Sequence, residues 1–231
     1  MRKRVLITAG NTRVPIDKVR GIDNIFRGRT GAQIAHYFAN QGYEVVLLTS
    51  HPEGVSPHSN LDIHSFNTFD QLNESMCTLV MERLFHVIVH SAAVSDYKPV
   101  GIYQQVGDPV ESDGGLLRNL QKLDSTGKVG SNHSELWMRL TPTIKIVDQI
   151  RQPWGFKGTL VKFKLQVGMS DTDLIDVATR SMKHSQADFV VANTLEGLNS
   201  RAFIISAKKQ CAISVSRTEL PAKLLAAIEA Q

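Results

Sequence analysis

The chain has 231 residues, 42% hydrophobic and 21% charged, which is enough to bury one good core and too apolar for general disorder. Its formal net charge of +4 comes from scattered basic residues, an arrangement that argues against a nucleic-acid surface and fits an anionic small-molecule substrate. Cys77 and Cys211 lie far apart in apolar stretches and read as buried free thiols in a reducing cytoplasm. The opening MRKR is basic, but Gly10 breaks the apolar run behind it too soon for a signal peptide or membrane span.

In chain order, residues 4–9 predict a fully buried first strand, left through Ala9 and Gly10. A helix follows Gly28, with Ile34, Ala35 and Phe38 on one face, and after Gly42 comes the strand EVVLLTS, so the chain begins with a βαβ unit. Residues 61–66 alternate weakly as a third strand, 69–84 carry helical periodicity, and 86–93 (HVIVHSAA) form the next buried strand. From 98 to 134 periodicity fails among glycines, aspartates and glutamines, which predicts a long loop acting as a lid. Residues 137–140 read as an edge strand, and Pro142 is placed to open a helix over 143–151, where its missing N–H costs nothing.

Strand character returns at 160–165. Ser170 and Asp171 make an N-cap for a helix running to His184, and 187–194 (ADFVVANT) is a buried strand ending near Asn193. Residues 202–207 and 211–215 form a hairpin around Lys208 and Lys209, and 218–230 close the chain as a helix with Leu220, Leu224, Leu225 and Ile228 inward. No internal repeat or low-complexity segment interrupts this alternation.

In an α/β protein the first strand-to-helix crossing is where phosphate-bearing ligands sit, on free N–H groups at the helix start. Here Gly10 and Gly28 stand eighteen positions apart, too far for the single tight turn of a G-x-G-x-x-G fingerprint, so the intervening loop must belong to the site. That loop, ITAG-T-x-x-PID-x-VR followed by IDN-x-x-x-G-R-x-GA, resembles the opening of the phosphopantothenate–cysteine ligases, the ligase part of the DNA/pantothenate metabolism flavoproteins. Later matches keep the same order: SAAVSDYKP at 91–99, Lys128 with Ser131 behind it, LVKFKL at 160–165, and ADFVVANTLEGLNS at 187–200.

The resemblance implies an α/β chain with a Rossmann-like doubly wound, mostly parallel sheet, organised as one domain over 1–231 with a lid or arm at 98–135 and a small β arm. It implies activation of 4′-phosphopantothenate by a nucleoside triphosphate, CTP or alternatively ATP, with Mg²⁺ brought mainly by the triphosphate, and condensation of the acyl-nucleotide with cysteine. It also implies a homodimer. Asn24 falls at the asparagine that binds substrate and helps convert the acyl-nucleotide, and Lys128 at a lysine that reaches the nucleotide from a mobile loop. Gly10, Ser91, Ala92, Asp96 and Phe163 fall at nucleotide-lining positions. Arg27, Gly28, Gly31, Ala93 and Asn193 join Asn24 around phosphopantothenate. No residue set for a resident metal is implied.

Two departures stand out. Where the family commonly has a serine-rich N-x-S-S-G stretch, this chain has Asn24-Ile25-Phe26-Arg27-Gly28, so a hydroxyl ligand is lost and Arg27 and Arg29 could replace it with charge-assisted bonds. The acidic residue usual after the phenylalanine strand is replaced by Lys164-Leu165-Gln166, and the lysines of the next helix are matched only loosely by Arg180 and Lys183. Taken singly, each candidate has a plainer role: Asn24 bonding its own loop, Lys128 and the arginines solvated, Asp96 capping, Phe163 in the core. A protein acting on, or only binding, another phosphorylated acid stays open as an alternative. A nicotinamide-dependent reductase fits worse, since Thr49, Ser50 and His51 stand where an acidic ribose ligand would.

Overall fold

The computed structural model describes residues 3–113 and 115–231. The strands are β1 (Arg4–Ala9), β2 (Arg13–Pro15), β3 (Gly21–Asp23), β4 (Glu44–Thr49), β5 (Leu61–Ser65), β6 (Val87–His90), β7 (Tyr97–Gln105), β8 (Val110–Ser112), β9 (Gly115–Leu117), β10 (Leu120–Leu123), β11 (Trp137–Pro142), β12 (Thr159–Gln166), β13 (Phe189–Thr194), β14 (Arg201–Ser206) and β15 (Cys211–Ser216). The α-helices are α1 (Arg29–Asn40), α2 (Phe69–Glu82), α3 (Ile146–Arg151), α4 (Asp171–His184) and α5 (Leu220–Glu229).

Eight strands form the central sheet in the order β15-β14-β13-β12-β6-β1-β4-β5. The six from β13 to β5 are parallel, and β14 and β15 add an antiparallel edge. The chain winds outward from β1 through β4 to β5, then returns to β6 on the other side of β1 and winds out to β13. This is the doubly wound order, and its switch point lies between β1 and β6.

The strands there are near-continuous apolar runs because both faces are covered. Val5, Ile7, Ala9, Val45, Leu47, Val87 and Val89 pack with Ile34, Ala35 and Phe38 of α1 and Leu224 and Ile228 of α5. Leu6, Val46, Leu48, Ile88, Leu160 and Val190 face Leu72 and Met76 of α2, Ile146 and Ile150 of α3, and Leu174 and Ala178 of α4. Adjacent residues on one strand thus serve opposite layers. Helix starts follow local chemistry: Thr68 and Gln71 form a reciprocal capping box on α2, and the Ser170 side chain accepts the Asp173 N–H to start α4.

The segment expected as a lid loop is instead largely stranded. β7 is the centre of a three-stranded antiparallel sheet ordered β10-β7-β11, with β8 and β9 paired as a hairpin beyond it. This sheet is exposed on much of both faces, so its strands carry no apolar alternation, and ladder hydrogen bonds define them. The helix expected over 143–151 begins three residues later. Pro142 ends β11 opposite Tyr97, on an edge strand where a missing N–H is tolerated, and Thr143 stays extended with its N–H donated to the Asp96 carbonyl at 2.9 Å. Cys211 is exposed and Cys77 half-buried, so the expectation that both thiols are buried is corrected. Among the described residues no helix is long and apolar enough to cross a membrane.

Candidate active site

The switch point is shaped by three close backbone approaches. Gly10 leaves β1 with φ +87°, and a Cβ there would lie 2.1 Å from Ser50 Oγ. Gly28, in the N-cap position of α1, has φ +77°, and its Cβ would fall 2.1 Å from the Gly10 nitrogen. Gly31 lets the first turn of α1 sit against Ala9 and Ser91, which an added Cβ would meet at 2.7 and 2.8 Å. The first helical bond is Ala32 N–H to the Gly28 carbonyl, so the N–H groups of Arg29, Thr30 and Gly31 have no intrahelical acceptor.

Between the two glycines the loop folds as the β2–β3 hairpin and returns Asn24 to the end of the sheet. Past His90 the chain continues beside β1's extension: Ala93 N–H donates to the Gly10 carbonyl (2.7 Å) and Thr12 N–H to the Ala93 carbonyl (3.2 Å). Asn24 Nδ2 donates to that same Ala93 carbonyl at 3.0 Å, and the Asn24 carbonyl accepts from Asn11 Nδ2 at 2.6 Å. A carbonyl can only accept, so the Asn24 amide must turn its NH₂ toward Ala93. One N–H and Oδ1 remain uncommitted among the described residues, on an exposed side chain.

Beneath this sits a pair the sequence reading passed over. Thr8 Oγ1 accepts the Ser91 and Ala92 N–H groups, both at 3.1 Å, and lies 3.0 Å from His90 Nδ1. With both lone pairs used, the hydroxyl proton goes to Nδ1, which assigns the ring proton to Nε2. Burial, followed by the positive charge of Lys162, pushes the His90 pKa down to about 4, so the ring is neutral at physiological pH. The Ser91 and Ala92 amides are therefore spent on Thr8, and what these residues offer a ligand is space.

The other predicted residues lie on separate elements. Asp96 is exposed and ion-paired with Lys145 from just before α3, a partner that spacing did not suggest. Lys128 is exposed between Gly127 and Val129, whose backbones are tied to the 17–20 turn before β3. Arg27 and Arg29 are exposed and flank the Gly28 cap. Arg217, half-buried in the β15–α5 connection, hydrogen-bonds Thr30 Oγ1 in the first turn of α1, and burial lowers its pKa. Phe163 and Asn193 lie further along the sheet, in the C-terminal halves of the neighbouring strands β12 and β13. Asn193 is buried, its side-chain amide donating to the Thr194 carbonyl at a long 3.5 Å, while Phe163 packs partly against the α1/α5 layer. Among the described residues no three His, Cys, Asp or Glu side chains converge as a metal-binding set.

These features define a doubly wound α/β protein with a long loop, residues 11–27, at the switch point of its sheet. Residues 1–106 match the model of the DNA/pantothenate metabolism flavoprotein C-terminal domain. It is 32% identical over 203 residues to the coenzyme A biosynthesis bifunctional protein CoaBC of Thermococcus kodakarensis, covering 86% of this chain and 43% of that protein. The phosphopantothenate–cysteine ligase of Saccharomyces cerevisiae is 25% identical over 252 residues, covering 88% of this chain and 68% of the yeast protein. The crystal structure of the DNA/pantothenate metabolism flavoprotein from Streptococcus pneumoniae superposes with a TM-score of 0.80 at 27% identity, over 100% of this chain and 99% of that one. The chain spans less than half the length of the bifunctional relatives it matches.

Proposed function

We propose that the chain is a phosphopantothenate–cysteine ligase of coenzyme A biosynthesis. The observation that carries this is Asn24: an exposed amide at the switch point, oriented by the Ala93 carbonyl, beside a helix start with free N–H groups. In the reaction, a carboxylate oxygen of 4′-phosphopantothenate attacks the α-phosphorus of a nucleoside triphosphate, expelling pyrophosphate. The cysteine amine then attacks the acyl carbon, and collapse of the tetrahedral oxyanion releases the nucleoside monophosphate and leaves an amide bond.

The start of α1, with Arg27, Arg29 and Arg217 near it, supplies N–H groups and positive charge for the substrate phosphate. The spare N–H of Asn24 donates to the oxyanion, a task suited to a group that does not titrate. Lys128 supplies positive charge to the nucleotide phosphates, and Asp96 and Phe163 line the nucleotide side. Mg²⁺ brought by the triphosphate would neutralise part of its charge. We favour CTP over ATP.

We further infer one domain over 1–231, working as a cytoplasmic homodimer through the arm. Tyr97, Val100, Trp137 and Leu140 leave apolar surface exposed there, which supports a partner. Sedimentation as a monomer at micromolar concentration would remove the dimer. The test of the function is pyrophosphate release with 4′-phosphopantothenate, Mg²⁺ and either nucleotide, followed by cysteine-dependent product. CTP should turn over faster than ATP. No pyrophosphate from either would defeat the assignment, and Phe26 with Arg27 would then direct the search to another phosphorylated acid.

A further inference from the structure

Asp17 is the most heavily bonded carboxylate among the described residues. Its side chain has no solvent exposure. Oδ1 accepts the N–H groups of Val19 and Arg20, both at 2.8 Å. Oδ2 accepts Arg20 Nε (3.0 Å), Arg20 Nη2 (2.6 Å) and, across 112 residues of chain, the Val129 N–H at 3.1 Å. Arg20 Nη2 also donates to the Val129 carbonyl at 2.7 Å, and Lys18 N–H to the Gly127 carbonyl at 3.1 Å. The Arg20 guanidinium holds the Asp17 carboxyl well below the usual carboxylate range, against the opposing effect of burial.

A turn on the surface does not need a buried carboxylate to stay folded. Local bonds already close this one, since Ile16 and Asp17 N–H donate to the Arg20 carbonyl at 2.9 and 3.2 Å. What the carboxylate adds is reach. It grips both polar groups of Val129 directly or through Arg20, while Lys18 grips Gly127, so the residues on either side of Lys128 are both fastened. Val129 is only 3% exposed, whereas Lys128 is exposed and makes no hydrogen bond or ion pair among the described residues. Four residues after Arg20, just past β3, comes Asn24.

We propose that Asp17, acting with Arg20, is a positioning residue that latches the Lys128 turn to the Asn24 loop, so that the lysine and the amide are held in one frame. The proposal rests on the reading of Lys128 as a nucleotide-phosphate ligand. Asp17 touches no substrate; it acts through the backbone of residues 127–129.

The test uses Asp17→Asn in the full chain, with two readouts. Trypsin cleaves after lysine, so the Lys128–Val129 bond reports the latch without reference to activity. Cleavage there should accelerate about tenfold or more, as for loss of one charge-assisted hydrogen bond, while cleavage after Lys208 and Lys209 in the far hairpin should stay as it was. In pyrophosphate release, Asp17→Asn should raise the nucleotide KM about tenfold, and in a Lys128→Ala background it should cost nothing further, whereas a merely structural role would cost the same in both backgrounds. Unchanged cleavage at Lys128–Val129, or an equal loss in both backgrounds, overturns the proposal. If Lys128→Ala itself leaves pyrophosphate release untouched, the Lys128 reading fails, and the proposal fails with it even where the cleavage result shows the tether to be real. Arg20→Lys, which keeps the charge and removes the bridge to the Val129 carbonyl at a half-exposed position, carries the same test should Asp17→Asn not fold.

Discussion

Replacing Asn24 by aspartate should separate catalysis from folding. The wild-type amide gives one N–H to the Ala93 carbonyl at 3.0 Å and keeps a second free. Aspartate loses both donors and sets an anionic oxygen against that carbonyl, so the carboxylate must rotate away. The lost bond is on an exposed side chain and contributes about 0.5–1.5 kcal/mol. For a chain of this size that lowers Tm by roughly 1–6 °C. Losing an oxyanion donor, by contrast, costs about 10²–10³ in rate. Attack by cysteine should slow by at least the lower figure, while pyrophosphate release in the first half-reaction suffers less, so the acyl-nucleotide accumulates. Quenched reactions analysed by mass spectrometry would show it. Asn24→Ala removes the donor without adding charge, so the ratio of the two variants measures the repulsion alone. Both half-reactions falling together, in proportion to the folded fraction, would refute the reasoning and return Asn24 to a loop-bracing role.

Two further outcomes follow from the same geometry. Gly28→Ala puts a Cβ 2.1 Å from the Gly10 nitrogen at φ +77°; a left-handed alanine costs about 1–2 kcal/mol and the enforced shift about 1–3 more, so urea melts should show a loss of roughly 2–5 kcal/mol together with weakened substrate binding. The neutral, buried His90 should make stability depend on pH: with its pKa lowered to about 4 from 6.5, the unfolded state binds the extra proton between these values, so the contribution is fully present above pH 6.5 and is lost as pH falls toward 4. Its full size is on the order of 3 kcal/mol, and a His90→Gln variant whose urea midpoint keeps the wild-type slope across that window would show that another group is responsible.

Much of the frame was legible because its causes are local or periodic. The run at β1, the i, i+3, i+4, i+7 face of α1 and the Ser170 cap of α4 each say in a few residues what they form, and the alternation of strands and helices then implied a parallel sheet. The β arm was expected from the resemblance alone, and its strands were not legible in the residue pattern for a physical reason. In β7 only Gly101 and Ile102 are buried, so the residues carry no one-sided pattern, and the strand exists through its pairing with Leu120–Leu123 on one side and Trp137–Pro142 on the other. Pro142 misled for a related reason, because the same missing N–H suits a helix start and an edge strand.

At the switch point the structure brings Gly10, Asn24, Gly28, Gly31, Ser91 and Ala93 together, while the sequence left their partnerships unspoken. Asp17 and Arg20 stand in the P-I-D-x-V-R stretch, yet their bond to Val129 is visible only once residues 112 positions apart are brought together. Lys145 with Asp96 and Arg217 with Thr30 are of the same kind: a charged residue in a connecting segment, with nothing in its own neighbours to say whom it meets.

The eighteen-residue gap between Gly10 and Gly28 now has a structural meaning. In a dinucleotide fold, three glycines make one tight turn so that backbone can approach a pyrophosphate. This chain keeps the two ends of that arrangement: a left-handed exit from β1 at Gly10, and Gly31 packing α1 onto Ala9 and Ser91. In place of the tight turn stands a long loop fastened to Ser50 through Asn11, to Asn67 through the Arg13 N–H, to Ala93 and Ser95 through Thr12 and Asn24, and to Val129 through Asp17. The loop therefore presents an oriented amide beside the helix start and is bonded to the lysine-bearing turn of the arm. On the proposed reading, the helix start would hold the phosphate, and the amide and the lysine would serve the bond made beside it.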